Sequence, residues 1–134
     1  MFIHHLEQDI PVLCKEVPTF PEGIQAAFEE LCVKVPDRVY YGLSHMENSG
    51  RIVYQAAAVG TEQEAAKLGY SASVIPQGDW LVESIDGWME KIDGIKDVFG
   101  RLMSDPRFDP AYECVEWYRT DTEMWCMVRC VATN

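Results

Sequence analysis

Apolar residues recur along this chain with two different periods, and the places where the period changes predict the elements. Between 21 and 35, "PEGIQAAFEELCVKV" puts Ile24, Ala27, Phe28, Leu31, Cys32 and Val35 at i, i+3, i+4, i+7, i+8 and i+11. That spacing makes one apolar stripe along an amphipathic helix. Thr19 and Glu22 have capping-box spacing, and Pro21 fits a first turn, where the amide has no intrahelical partner. Pro36 ends the helix. A second stripe, Trp88, Ile92, Ile95, Phe99 and Leu102, steps by four and three residues, with Glu90, Lys91, Asp93, Lys96, Asp97 and Arg101 mostly off it. Ser84 or Asp86 caps its start and Pro106 limits its end, while Gly87 and Gly94 each weaken it by about 1 kcal/mol relative to Ala.

Elsewhere the period is two, or the run is continuously apolar: 10–17, 38–46, 51–59, 71–84, 111–119 and 123–132 read as strands. "ENSG" at 47–50 and "TDT" at 120–122 are short enough to make hairpins of their flanking strands, and "PQG" marks a bend or bulge within 71–84. In chain order this is strand, helix, strand, strand over 10–59, and the same again over 71–132. The expectation is an α+β protein of duplicated β-α-β-β units with antiparallel sheet and two main helices. "TEQEAAKLGY", with room for one helical turn, joins the halves without a flexible linker. The 134 residues then form one domain, 1–134, with a ligand cleft between the halves.

Charge narrows the functions. Eleven basic against 22 acidic side chains give a net charge of -11, which repels a phosphate backbone and attracts cations, so direct nucleic-acid binding is not expected. The start, "MFIHHLEQDI", has no basic, then apolar, leader pattern, and no long uncharged apolar run follows. A cytoplasmic protein without membrane association is expected. The five cysteines form no C-x-x-C pair and read as reduced, small apolar fillers. The three histidines lack zinc-site spacing, so no metal or other cofactor is expected.

One residue breaks the pattern. In "YECVEWYR", alternation puts Tyr112, Cys114, Glu116 and Tyr118 on one strand face, so Glu116 shares its face with two tyrosines. A carboxylate stripped of water there costs several kcal/mol unless hydroxyls or a positive guest replace the hydration. The plainer alternative is a surface carboxylate facing solvent or paired with Arg38 or Arg51. Tyr54, Trp80, Tyr118 and Trp125 likewise have an ordinary account as half-buried strand aromatics.

Taken together, "TFPEGIQAAFEEL", "VYYGLSHMENSGRIVYQAAAV", "VIPQGDWLVE" and "VEWYRTDTEMWCMV" resemble, in order and spacing, the GyrI-like superfamily of effector-binding domains. These domains occur in AraC- and MerR-type multidrug-responsive regulators and as stand-alone proteins. The resemblance implies two halves enclosing a ligand cleft, with Glu116 at the pocket floor, Tyr118 beside it, and Tyr54, Trp80 and Trp125 as aromatic walls. Two departures, Trp80 where the family often has Tyr and Met127 where Pro is common, bear on ligand identity more than on fold.

The function expected on this basis is binding of a small organic, cationic aromatic ligand, as a sensor or sequestering module linked to transcription regulation only through a partner chain. Aromatic faces contribute roughly 0.5–2 kcal/mol per cation contact, and burial of about 300 Å² of apolar ligand adds some 7 kcal/mol against an association cost of at least about 4. Micromolar affinity is within reach. Two alternatives stand beside it: a small-molecule hydrolase with Glu116 as general base, and an interaction protein of the DNA gyrase inhibitor kind. The sequence leaves monomer and homodimer open.

Overall fold

The structure, a computed structural model, describes residues 1–132. The chain forms two compact units: Asp9–Pro76, the first, and Met1–Gln8 with the chain from Gln77 onward, the second. Each contains a β-α-β-β succession, so the α+β class and the duplication are present. In the first unit these are β2 (Ile10–Glu16), α1 (Ile24–Lys34), β3 (Tyr40–Met46) and β4 (Ile52–Val59). In the second they are β6 (Gly78–Asp86), α3 (Ile92–Met103), β7 (Cys114–Tyr118) and β8 (Glu123–Arg129). Each unit gains an edge strand and the first a short helix: β5 (Ser71–Ile75) and α2 (Glu62–Leu68) in the first, β1 (Phe2–Leu6) in the second.

The first unit's strands run β3-β4-β2-β5 and the second's β7-β8-β6-β1, the same order twice, antiparallel throughout. The strand leading into each unit's first strand in the chain is therefore an edge strand of the other unit. Strand β1 is absent from the sequence reading. It pairs Phe2 to Leu6 with Val82 to Gly78, a non-local partnership that the short "FIHHL" does not announce.

The segment read as one strand over 71–84 is two. Pro76 has no amide to continue the β5 ladder, and Gly78 stands at φ 126, where a Cβ would collide with the Arg129 guanidinium. Arg129 fills that corner by donating to the carbonyls of Gln77 at 3.0 Å and Cys130 at 2.7 Å.

The first helix begins later than its capping signal. Thr19 donates its hydroxyl to the Glu22 carbonyl at 2.8 Å, and Gly23 at φ 88 opens α1. The capping box forms instead at α2, where Thr61 Oγ1 accepts from the Glu64 amide and Glu64 Oε1 accepts from the Thr61 amide. Both expected hairpins are present.

Each helix buries its stripe on one face of its own sheet. Ala27, Leu31 and Val35 pack with Leu13, Tyr54, Ala56 and Ala58 in the first unit. Val98 and Leu102 pack with Leu81, Ile85, Met124, Cys126 and Val128 in the second. No helix among the described residues is long and apolar enough to cross a membrane.

Candidate functional site

On β7, Glu116 and Tyr118 point to the same side, and the hairpin register tells which side it is. Glu116 lies opposite Cys126, and Cys126 lies opposite Glu83 on β6. Glu83, Cys126 and Glu116 thus form a row across three strands on the face that α3 covers. With strands about 4.8 Å apart, the Cα atoms of the two glutamates are about 10 Å from each other. Tyr118 donates its hydroxyl to Glu116 Oε1 at 2.8 Å.

Trp88 completes this corner. Gly87 adopts φ 67 and donates its amide to the Thr122 carbonyl at 2.7 Å, which swings the following 3-10 turn, Trp88–Glu90, toward the β7–β8 hairpin. There the Trp88 ring lies 5.2 Å from the Tyr118 ring at an interplanar angle of 60°. Ile95 and Phe99 of α3, both half-buried, line the apolar side of the same cluster. From α3, Arg101 Nη2 donates to Glu83 Oε1 at 2.8 Å. Two polar atoms here are covered yet make no hydrogen bond among the described residues: Glu83 Oε2 and Trp88 Nε1.

The thiols on this face stay protonated at neutral pH. Burial first, then the negative charges of Glu116 and Glu83, pushes the Cys126 thiol far above its ordinary range. Burial, with Glu113 and Glu116 nearby, raises Cys114 to about 11. Neither is a thiolate at neutral pH, so a carboxylate and aromatic rings are what the site offers a guest.

The expected site residues are distributed as follows. Glu116 and Tyr118 are together. Trp80 and Trp125 lie on the opposite face of the same sheet, because Trp125 is in register with Trp117 and Ser84, and Trp80 with Arg129 and His4. Trp80 is 1% exposed. Trp125 meets Phe2, His4 and Trp117 edge-on at 5.1–5.2 Å, and the Arg119 guanidinium covers its ring at 3.8 Å. Tyr54 belongs to the first unit, where it is buried under α1 and stacked on Phe20 at 5.0 Å. Arg38 and Arg51, the sequence-level alternatives for a partner of Glu116, pair with Glu64 at 2.7 Å and with Glu16 at 3.5 Å.

Sequence reasoning missed Glu83 and Trp88. Glu83 was legible, since alternation in "GDWLVESID" sets it beside Leu81 and Ile85. Trp88 was read as part of the helix stripe, and the turn that aims it at Tyr118 depends on Gly87. An open depression of about 800 Å³ along the outer side of α3, lined by Lys96, Asp97, Arg101 and Asp105 among others, carries no aromatic ring, so its volume alone does not mark a site for an organic guest.

Neither a protein-family model nor a curated protein matches the sequence. Solved structures do match. SAV2435 bound to tetraphenylphosphonium is 14% identical, with a TM-score of 0.59 over 96% of this chain and 93% of the other. The integron cassette protein VCH_CASS2 from the mobile metagenome of Vibrio cholerae is 11% identical, with a TM-score of 0.68 over 96% and 94%. A hydrolase from Listeria innocua is 9% identical, with a TM-score of 0.57 over 96% and 90%. Identities this low speak to fold and not to activity. With the β-α-β-β order repeated twice and these matches running the length of the chain, the protein shares the fold of these solved structures, consistent with the resemblance of its sequence markers to GyrI-like domains.

Proposed function

We propose that this protein binds small organic cations on the α3-covered face of its second unit, with Glu116 as the anchoring charge. The observation that carries the reading is the 2.8 Å bond from Tyr118 to Glu116 beside the Trp88 ring: a half-buried carboxylate is held in place by one ring and bordered by another. A cationic guest gains the carboxylate and ring faces at once, while an anion gains neither. The tetraphenylphosphonium carried by SAV2435 on the same fold supports this choice of guest.

Tyr118 remains in the proposed site and Trp88 joins it. Trp80 and Trp125 are on the reverse of the sheet and Tyr54 is stacked on Phe20, so none of the three is asked to touch a guest at Glu116.

Isothermal titration of tetraphenylphosphonium into the wild type and Glu116→Gln tests the reading. Affinity near micromolar is expected for the wild type and at least about tenfold weaker binding for the variant. Equal affinities would remove Glu116 from the site, and no heat from either protein at millimolar ligand would remove the site itself.

A further inference from the structure

The reverse face of the second unit's sheet, away from Glu116, carries a corner of rings. Trp117 and Trp125 are cross-strand partners, and their indoles stand at 77° to each other with centroids 5.2 Å apart. Phe2 and His4 of β1 close edge-on upon the Trp125 ring at 5.1 and 5.2 Å. Alternation along β7 carries Arg119 to this face. Its guanidinium sits in the corner, 3.8 Å from the Trp125 centroid and 4.7 Å from that of Trp117. Phe2 is 42% exposed and the other three rings are half-buried, which leaves the corner within reach of a small guest. Arg119 is lightly held there. Its ion pair with Glu123 spans 3.5 Å, longer than a hydrogen bond, with the two side chains 33% and 38% exposed. Glu123 does not depend on it, because Ser84 donates to the other carboxylate oxygen at 3.0 Å. Asp86, in register with Glu123, adds a second acidic group at the same end of the face. Arg129, farther along, is the contrast: it donates to two carbonyls at 2.7 and 3.0 Å. Swinging Arg119 into solvent therefore leaves no buried charge behind.

We infer that this corner is a second ligand site, for small planar cations of the guanidinium or amidinium type, and that Arg119 is its tethered competitor. The seated guanidinium defines the guest: a flat delocalised cation stacks on Trp125, meets Trp117 from the side and takes over the ion pair with Glu123. The site uses none of the residues around Glu116, so the two sites stand or fall separately.

The test follows the indole N–H signals of the four tryptophans by nitrogen-15 NMR while phenylguanidine is titrated into the wild type, Arg119→Gln and Glu116→Gln. The Trp117 and Trp125 signals should move and that of Trp88 should stay. Arg119→Gln should bind about two- to thirtyfold more tightly than the wild type, the range set by one cation–ring contact. That gain should persist in roughly 1 M NaCl, where relief of simple charge repulsion at an exposed site is screened. Glu116→Gln should behave as the wild type does. Equal affinity of Arg119→Gln and wild type, a gain abolished by salt, shifts confined to Trp88, or loss of the Trp117 and Trp125 shifts in Glu116→Gln would each overturn the inference. So would still signals for Trp117 and Trp125 in every protein at tens of millimolar guest, a result that leaves binding at Glu116 untouched.

Discussion

Replacing Tyr118 by Phe removes one hydroxyl and keeps the ring on Trp88, so it isolates what the 2.8 Å bond to Glu116 contributes. A hydrogen bond to a charged group contributes about 1.5–3 kcal/mol, and both residues are half-buried, so the lower end applies: a loss near 1.5 kcal/mol. For a chain of 134 residues that corresponds to a fall in Tm of about 4–7 °C. Affinity should move differently. The carboxylate in Tyr118→Phe keeps its charge but has lost a donor, so a cation meets a more poorly solvated anion and binds as tightly as in the wild type, within about threefold, or more tightly. Thermal melts followed by circular dichroism give the first number, and titration of tetraphenylphosphonium gives the second. A Tyr118→Phe protein that melts like the wild type, or that loses cation affinity as fully as Glu116→Gln does, would refute the view that the hydroxyl stands in for hydration of the anchor.

Other expectations follow from the same structure. Leu102 is 0% exposed in the α3 core, and Leu102→Ala should cost about 2–5 kcal/mol, read as a lower urea midpoint. The Arg38 guanidinium and the Thr61 amide hold Glu64 down at about 2 from an ordinary 4.5, so the stability this pair confers is complete above pH 4.5 and lost as pH falls toward 2. Urea unfolding of Arg38→Met should accordingly show a shallower acid dependence across that window, and an unchanged profile would discard the pair's role. Cys32 is exposed, whereas burial raises the thiols of Cys114, Cys126 and Cys130 and Cys14 is buried. Iodoacetamide at pH 8 should therefore modify one cysteine rapidly by mass spectrometry, and several fast sites would contradict the packing. Gly78→Ala should destabilise by more than about 1 kcal/mol, since φ 126 disfavours any side chain and the Arg129 guanidinium occupies the space.

Local chemistry is written locally, and that part was legible. The apolar stripes of α1 and α3, the hairpins around "ENSG" and "TDT", and the doubled strand-helix-strand-strand order all depend on neighbours within a few residues in the chain. So does the pairing of Glu116 with Tyr118, because residues two apart in a strand share a face whatever else happens. The tertiary structure decided everything that depends on register between strands. A shift of one residue turns a whole strand over, and it is the β8 register that sets Trp125 behind the sheet and Cys126, with Glu83 beyond it, in front beside Glu116. Non-local hydrogen bonding likewise made a strand of "FIHHL" and divided 71–84 between two units, at a proline without an amide and a glycine without a side chain. Composition announced that rings and a carboxylate were present; only the pairing of distant strands determined which of them meet.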